Sequence, residues 1–520
     1  MDQPHVVEPP AKRLAPMRAQ KVRGTRPRVA EGHAKGVLGG PGLELLDSFA
    51  AARPSLAERL AQGKALRQQI PRSQHAFHPR RDDSGEALAI LERQNAARVQ
   101  SLVAVRMARM DASPFGFLRG AAAVMARDLA STPATRLHVL ACGDMHLLNF
   151  GLFASAERNL VFAINDFDEV HPGPWEWDLK RLAASCAVAA AFTGADRDFA
   201  QEVAWHAVRS YARRIRGYAE RGYLETWYDV IDADEILAAT LHTRRHAVQE
   251  MLNKARARGP VRALDQLTRE VGGEHRIVED APLIVRETHL ADGTPIARAM
   301  DDLLRAYLAS LPPDRQRLLR RYRIVDVARK VVGVGSVGTG CWVVLFQGLD
   351  AGDPLFLQIK EAQASVLADH VKTPLRVANQ GQRVVIGQRM IQGSPDIFLG
   401  WGSVDERRRS DFYVRQLADM KGSIHLAEGD AKTRGALPGY ARLCGWALAL
   451  AHAKSGDAAM IAGYCGGGDA LAEAVSRDAL AYQDQTERDH AALSAAVRAG
   501  RVAVASPEEA GLERRHGRLA

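Results

Sequence analysis

A short polar segment of the chain carries an aspartate, a histidine and an asparagine at close spacing. This segment and the acidic one that follows it read Gly143-Asp144-Met145-His146-Leu147-Leu148-Asn149 and Asn165-Asp166-Phe167-Asp168-Glu169. Phosphoryl transfer to a hydroxyl needs one carboxylate to accept the acceptor's proton, and an amide and a second carboxylate to hold a divalent metal. A hairpin with its tip at residues 156–159 would return the second carboxylate to the first. The alternative is a polar turn capped by Asp144 and Asn149, but acids beside apolar strands are costly unless they are paired or bind a metal.

A glycine-rich segment much later in the chain could cover phosphates. It and the strand after it read Val332-Gly333-Val334-Gly335-Ser336-Val337-Gly338-Thr339 and Phe356-Leu357-Gln358-Ile359-Lys360. Residues 341–346 read as a strand, which disfavours a dinucleotide-binding unit, where the glycines open a helix. In a strand–glycine loop–strand arrangement, backbone N–H groups cover phosphates and a lysine on the next strand reaches them. The candidate nucleotide-binding residues are Gly333, Gly335, Ser336, Gly338 and Lys360. Taken alone, the segment fits a tight hairpin with a solvent-facing lysine equally well.

The two segments together resemble the protein-kinase-like superfamily, and most closely its small-molecule branch, the aminoglycoside and choline phosphotransferases. Gly143-Asp144-x-His146-x-x-Asn149 is similar to the catalytic loop of that branch, and Asn165-Asp166-Phe167-Asp168 is similar to its metal-binding segment. Trp177-Asp178-Leu179 resembles the start of the following helix, whose aspartate braces the backbone of the catalytic loop.

The resemblance implies a role for each of these residues, with Asp144 as the catalytic base. The catalytic set is Asp144, Asn149 and Asp166. The implied Mg²⁺ ligands are Asn149, Asp166 and Asp168. Asp178 would support the catalytic loop, and Lys360 would bind the phosphates of ATP. We expect His146 to brace the loop, with metal ligation as the alternative.

The order of the segments differs from that of ordinary kinases, in which the glycine loop and lysine precede the catalytic loop. Here they follow it, and a predicted helix ending at His452 resembles the helix that leads into the catalytic loop. The sequence therefore predicts an α+β, protein-kinase-like, two-lobed fold that is circularly permuted and carries extra helices. Permutation is tolerable where the old termini lie close together on the surface.

The chain also resembles an uncharacterised bacterial family, domain of unknown function 2252, over about residues 75–495. The segments that carry this resemblance are Phe117-Leu118-Arg119-Gly120, Gly143-Asp144-Met145-His146-Leu147-Leu148-Asn149-Phe150-Gly151, Asn165-Asp166-Phe167-Asp168-Glu169 and Gln358-Ile359-Lys360-Glu361-Ala362. It names no substrate.

The acidic partner of Lys360 departs from the kinase pattern. Active kinases pair this lysine with a helix glutamate, but the predicted helix at 375–387 carries no acid. Glu361 is adjacent on the strand and should face the other way. Asp369 is the remaining candidate.

Composition restricts the class of protein and its partners. The 520 residues have a net charge of +9, and residues 1–80 hold 14 Lys/Arg against 6 Asp/Glu. We expect a disordered, solvated basic leader. If the chain binds nucleic acid or acidic lipid, we expect it to do so only through this leader. Five scattered cysteines predict a reduced, cytoplasmic protein. No apolar run reaches about 18 residues, so we expect no membrane span.

Changes in composition and in hydrophobic periodicity along the sequence predict six parts. They are a basic leader (1–75), a helical segment packing on the body (76–135), a C-lobe part with the catalytic loop (136–323), a β-rich N-lobe (324–424), helices completing the C-lobe (425–500) and a tail (501–520). Residues 225–310 are predicted to be mostly helical.

These observations predict an enzyme: an ATP- and Mg²⁺-dependent phosphotransferase acting on a hydroxyl of an unknown small molecule or protein. Transfer of AMP on the same fold, and a nucleotide-binding pseudokinase without the helix acid, are the alternatives. A metal-dependent phosphoesterase is a remote one, because the chain lacks a Gly-Asn-His-Glu motif.

Overall fold

The computed structural model describes residues 49–512 apart from 80, 82–83, 241, 290–292, 374, 406–408, 418–419, 421 and 423. The chain divides into two units, Met1–Pro54 and Ser55–Ala520. Only residues 49–54 of the first unit are described, so most of the predicted basic leader lies outside the described residues, as does the predicted tail from residue 513. The second unit carries the elements named below.

The elements of the second unit are named in chain order. The helices are α1 (Leu56–Ala65), α2 (Ser84–Ala96), α3 (Gln100–Asp111), α4 (Pro114–Gly120), α5 (Ala122–Leu129), α6 (Trp175–Phe192), α7 (Arg197–Ala219), α8 (Tyr223–Tyr228), α9 (Ala233–Ala239), α10 (Arg245–Arg256), α11 (Pro260–Leu267), α12 (Ile296–Ser310), α13 (Pro313–Leu319), α14 (Gln380–Gln392), α15 (Ala431–Ser455), α16 (Ala458–Cys465) and α17 (Asp469–Arg498). Short 3-10 turns cover Leu66–Gln68, Arg72–Ala76, Leu147–Asn149 and His242–Arg244. The strands are β1 (His138–Ala141), β2 (Phe150–Ala154), β3 (Leu160–Ile164), β4 (His171–Pro174), β5 (Ile231–Asp232), β6 (Thr268–Val271), β7 (Glu274–Ile277), β8 (Ile284–Val285), β9 (Arg323–Lys330), β10 (Cys341–Gln347), β11 (Pro354–Glu361), β12 (Gly400–Asp405) and β13 (Arg409–Gln416). The mixed α+β class predicted from the sequence is confirmed.

The second unit starts with a helix where the sequence predicts a disordered leader. Ser55 caps α1: its side chain accepts a hydrogen bond from the Glu58 amide, and the Glu58 carboxylate accepts one from the Ser55 amide. α1 approaches α16 so closely that a Cβ at Gly63 would lie 1.9 Å from the Met460 carbonyl oxygen. The predicted leader boundary at residue 75 is therefore wrong, because a capping box and a close helix contact fold the chain from residue 55 onward.

An antiparallel sheet of six strands has the order β12-β13-β11-β10-β9-β8. Leu357 and Ile359 of the central strand β11 pack with α12 on one face of the sheet, and Phe356 packs with α11 on the other. Because side chains alternate along a strand, Lys360 lies on the same face as Phe356. The strand pairing sets Lys360 opposite Tyr413 of β13.

The β-rich part of the chain begins before residue 324, its predicted boundary. β8 pairs with β9, and α12 packs on the sheet, so residues from 284 onward belong to it. The predicted helix at 375–387 is present as α14 but starts later, because Asn379 caps it by accepting a hydrogen bond from the Gln382 amide.

The helical core is built by α6, α7, α15, α16 and α17. The Ala-rich helix α6 is buried along almost its whole length. α7 and α15 are in close contact, since a Cβ at Gly445 would lie 2.1 Å from the Ala207 carbonyl oxygen. This core carries β1 to β4 and the polar loop between β1 and β2.

Residues 225–310 hold strands as well as helices, contrary to the prediction. β6 and β7 form a hairpin whose turn is Gly272-Gly273, with φ of 61° and 82°. Positive φ at both turn residues matches the turn type that two-residue hairpins favour, and the glycine pair was the signal for it. Within the described residues, no helix is both long enough and apolar enough to cross a membrane.

Candidate functional site

A buried aspartate of α6 holds the loop between β1 and β2. Asp178 accepts hydrogen bonds from the backbone amides of Cys142 (2.7 Å) and Gly143 (2.9 Å). His452 Nε2, near the end of α15, lies 3.4 Å from Asp178 Oδ2, and both side chains are fully buried. The loop is thus held jointly by α6 and α15, and the contacts of Asp178 are those of a supporting residue.

Asp144 lies in this loop and forms an ion pair with an arginine that the motifs did not single out. Arg181 Nε donates to Asp144 Oδ1 at 2.8 Å, and Arg181 Nη2 donates to the same oxygen. Burial raises the pKa of Asp144, but the charge and hydrogen bonds of Arg181 together with nearby groups, Arg119 among them, outweigh it, and the pKa lies below its ordinary value. Asp144 is therefore ionised at neutral pH. Helical spacing could have found Arg181, because it follows Asp178 by three residues on α6 and lies on the same face.

His146 and Asn149 connect the loop internally. His146 Nδ1 accepts a hydrogen bond from the Leu148 amide at 3.2 Å, and Nε2 lies 3.8 Å from Asp144 Oδ2. Burial lowers the pKa of His146 to about 3, so the ring is neutral. The Asn149 side-chain amide donates to the Asp144 carbonyl at 2.6 Å, and the Asn165 amide donates to the Asn149 carbonyl at 2.8 Å. These bonds connect the loop to the end of the β2–β3 hairpin, where Asn165, Asp166 and Asp168 lie.

The carboxylates at the hairpin end meet the lysine of β11. Lys360, only 2% exposed, donates from Nζ to Asp168 Oδ2, and its Nζ lies 4.0 Å from Asp166 Oδ1. Tyr413 donates from its hydroxyl to the other oxygen of Asp168 at 2.6 Å. Burial lowers the pKa of Lys360, but Asp168, Tyr413 and Asp166 together outweigh it, and the pKa lies well above its ordinary value. Burial and the charge of Asp168 raise the pKa of Asp166.

The acidic partner of Lys360 is thus Asp168, and the candidate Asp369 does not take this place. Glu361 faces away from Lys360, as predicted, and accepts a hydrogen bond from the Gly340 amide at 2.8 Å. Asp168, predicted as a metal ligand, has both oxygens engaged by Lys360 and Tyr413.

Helix α14 supplies an arginine to the site. Arg383, which is 2% exposed, donates to the carbonyls of Asp168 (2.8 Å) and Val170 (2.7 Å). Next to it, the Glu169 carboxylate accepts a hydrogen bond from the Val366 amide at 2.7 Å. Burial raises the pKa of Glu169 to about 7. Arg383 therefore fixes the backbone of the acidic segment. Because it is a cation, it cannot be the ion-pair partner of Lys360.

The glycine loop between β9 and β10 lies beside Asp144. A Cβ at Gly335 would lie 3.8 Å from Asp144 Oδ2 and 3.4 Å from the Arg119 carbonyl oxygen. Gly333 and Gly338 have φ of 65° and 89°. The structure thus brings the glycine loop to Asp144, and Lys360 to the acidic hairpin end.

The oxygen atoms of Asn149 and Asp166 suit Mg²⁺, a hard cation that takes oxygen ligands. The Asn149 side-chain nitrogen is already used within the loop, so its Oδ1 is the atom left for a ligand. The Asp166 side chain is 34% exposed. The described residues include no group of three or more His, Cys, Asp or Glu that could hold a metal. The protein would therefore supply two ligands, and phosphate oxygens and water the remainder, as is usual for Mg²⁺.

A family model described as an uncharacterised protein conserved in bacteria (DUF2252) matches residues 98–496. The chain belongs to this family. The DUF2252 match contains both the loop with Asp144 and Asn149 and the glycine loop with Lys360. No curated protein and no solved structure showed a significant match to the chain.

Proposed function

We propose that the chain is an ATP- and Mg²⁺-dependent phosphotransferase that transfers a phosphoryl group to a hydroxyl of a small-molecule or protein acceptor. The observation that carries the proposal is the meeting of Lys360 with Asp166 and Asp168. A buried lysine among carboxylates, beside a loop rich in glycine, is an arrangement that can exchange its internal ion pair for contacts with a polyanion and a metal.

Asp144 would orient the acceptor hydroxyl and take its proton as the bond to phosphorus forms. Its lowered pKa keeps it ionised at neutral pH, and phosphoryl transfer depends on positioning more than on a strong base. Arg181 would keep the carboxylate in one orientation, because two of its nitrogens donate to Oδ1.

The phosphates would lie between the glycine loop and Lys360. The backbone amides of Gly335, Ser336 and Gly338 donate to no partner among the described residues, and they could receive phosphate oxygens. Lys360 would contact the same phosphates in place of Asp168. When bound at Asn149 and Asp166, Mg²⁺ neutralises the charge that develops on the phosphates.

We also infer that the fold is a circularly permuted, two-lobed relative of the protein-kinase-like superfamily. α15 ends next to the catalytic loop, where His452 meets Asp178, although α15 follows that loop in the chain. In the kinase order the corresponding helix runs into the loop. The antiparallel sheet with Lys360 supports the same inference, because it meets the loop segment from a separate part of the chain.

A nucleotide-binding pseudokinase is the second candidate. It is favoured by the absence of an acid from α14, which carries Arg383 instead. In that case the ATP-bound protein would be the functional form, and no group would be transferred.

Thermal shift of the full chain with Mg·ATP, Mg·GTP and Mg²⁺ alone tests nucleotide binding. We expect Mg·ATP to raise the Tm, Asp166→Ala to abolish that rise, and the exposed-site control Asp369→Ala to keep it. No rise with Mg·ATP in the unmodified chain would contradict the proposal.

Labelled ATP separates the candidates. Label transferred from the γ-phosphate to an acceptor supports phosphoryl transfer, and label transferred from the α-phosphate supports AMP transfer. Nucleotide binding with no transfer to any acceptor in a metabolite and protein extract supports the pseudokinase.

A further inference from the structure

The glycine loop is held by a part of the chain outside its own sheet. Arg98, in the turn between α2 and α3, donates from Nη1 to the Val337 carbonyl at 2.5 Å. The backbone amide of Val99 donates to the Gly338 carbonyl at 2.8 Å. Two consecutive carbonyls of the loop are therefore bound by two consecutive residues of the helical segment α2–α5.

A third carbonyl of the loop is bound further along the same segment. Arg109, near the end of α3, donates from Nη1 to the Gly333 carbonyl at 2.6 Å. Both ends of the loop are thus fastened to the helical segment by charge-assisted hydrogen bonds, which are stronger than neutral ones.

The two valines of the loop, Val334 and Val337, have their side chains buried in the helical segment. Val334 is 3% exposed and Val337 is 0% exposed. The buried residues that pack with Val334 include Ala87, Leu91, Met107 and Phe117. Those that pack with Val337 are Leu102 and Val105. The apolar side chains of the loop therefore point into α2–α5.

We propose that the helical segment α2–α5 positions the glycine loop for phosphate contact, with Arg98 as its main positioning residue. This rests on the proposed function, because the ligand of the loop is taken to be the triphosphate of ATP. The segment binds the carbonyls, so the amides of Gly335, Ser336 and Gly338 are left for the anion. A hairpin loop is ordinarily mobile, and fixing it before binding raises affinity by lowering the cost of ordering it.

Arg98 also connects the loop to the acidic side of the site. Gly338 has φ of 89°, and a Cβ there would lie 3.0 Å from Arg98 Cβ, so the arginine stem packs directly on the loop backbone. Burial lowers the pKa of Arg98, whereas the nearby charges of Glu169, Glu361 and Asp168 raise it. Its Nε has no hydrogen-bond partner among the described residues. Arg98 is therefore placed between the loop backbone and the carboxylates of Glu169, Glu361 and Asp168.

Hydrogen exchange of the full chain without nucleotide tests the positioning directly. In Arg98→Ala we expect the amides of Val99, Val337 and Thr339 to exchange about tenfold faster or more, the order expected for loss of a charge-assisted hydrogen bond. Amides of β10 and β11 should exchange as before. Arg98→Lys should restore part of the protection, and Arg93→Ala, at an exposed position of α2, should leave it unchanged.

Binding of a fluorescent ATP analogue with Mg²⁺ tests the consequence. In Arg98→Ala the dissociation rate should rise about tenfold while the association rate changes little, because the loop no longer holds the phosphates in a fixed arrangement. Val337→Ala, which loosens the loop but keeps Arg98, is the second variant and should shift both measurements in the same direction.

The outcomes separate this inference from the proposed function. Unchanged exchange of the loop in Arg98→Ala, or faster exchange with unchanged nucleotide dissociation, would overturn the positioning role. Failure of the unmodified chain to bind Mg·ATP, with exchange in Arg98→Ala rising as expected, would contradict the proposed function and leave the attachment of the loop to α2–α5 supported.

Discussion

Buried Lys360 and half-buried Asp168 form an ion pair between residues 192 positions apart in the chain. The pair joins the central strand of the six-stranded sheet to the end of the β2–β3 hairpin. The hydroxyl of Tyr413, on the strand next to β11, completes the hydrogen bonding of the carboxylate. The two motifs that suggest chemistry in the sequence are therefore held together by their own charged groups.

We predict that substitutions of Lys360 and Asp168 are coupled in their effects on the free energy of unfolding. Asp168→Asn should lower the free energy of unfolding by about 3 kcal/mol, because it leaves the ammonium of Lys360 buried with only Asp166 nearby. Lys360→Met should cost much less in the Asp168→Asn background than in the unmodified chain. Denaturant unfolding of the two single variants and the double variant measures this, with the exposed Asp369→Asn as control. Additive losses would contradict the coupling.

Arg181 controls the pH dependence of Asp144. With Arg181 present the folded-state pKa of Asp144 is depressed, so its contribution to stability is present above 3.8, its ordinary pKa, and is lost as pH falls through the folded value. In Arg181→Met burial is left to dominate, the folded pKa rises above the ordinary value, and stability is lost as pH rises. The difference between the unmodified chain and Arg181→Met should therefore grow by about 2 kcal/mol from pH 4 to pH 7.

Denaturant unfolding at a series of pH values measures that difference. Arg213→Met, at an exposed position of α7, is the matched control and should show a difference that is independent of pH. A difference for Arg181→Met that is constant from pH 4 to pH 7 would show that the ion pair does not set the ionisation of Asp144.

Glu169 should oppose folding at neutral pH. Its folded pKa of about 7 exceeds its ordinary value of 4.5, so its contribution to stability is full below 4.5 and is lost as pH rises through about 7. Glu169→Gln should remove this loss and be more stable than the unmodified chain at pH 8 by about 1–2 kcal/mol. Thermal unfolding at pH 5 and pH 8 checks it, with the exposed Glu92→Gln as control. Equal pH dependence in Glu169→Gln and the unmodified chain would contradict it.

Two glycines of the loop should respond differently to alanine. Gly338→Ala should lower stability by about 1–2 kcal/mol, because its φ is positive and the new Cβ would contact Arg98. Gly335→Ala has no positive φ and adds a methyl 3.8 Å from Asp144 Oδ2, so it should fold normally. It should weaken Mg·ATP binding about tenfold by occupying space beside the carboxylate. Tm and nucleotide affinity of both variants test the contrast, and normal binding by Gly335→Ala would argue against phosphates at this point.

The site segments could be read from the sequence because each is a local pattern. The spacing from Asp144 to Asn149 and the glycine run before Lys360 are visible without any tertiary information. The support from Asp178 was implied by the resemblance of Trp177-Asp178-Leu179 to a helix start of the kinase-like superfamily. The pairing of Lys360 with Asp168 could not be read in this way, because no local pattern specifies which of several acids a distant lysine meets.

The features that the sequence did not predict depend on contacts between distant parts of the chain. The helix that starts after Ser55 has only two large apolar residues, Leu56 and Leu60, and it is stabilised by its capping box and its close approach to α16. The attachment of the glycine loop to Arg98 was equally hidden, since backbone carbonyls have no signature in a sequence. Arg181 is the exception, because its helical spacing from Asp178 on α6 is visible in the sequence.

The contact between Asp178 and His452 also bears on how the protein is made. The ribosome adds 274 residues between the two, which takes on the order of tens of seconds at bacterial or eukaryotic rates of synthesis. During that interval the apolar surface of α6 lacks the late helices that cover it, and the nascent chain is exposed to aggregation and to chaperones. A premature stop before α15 would therefore yield an aggregation-prone fragment and not a smaller folded protein.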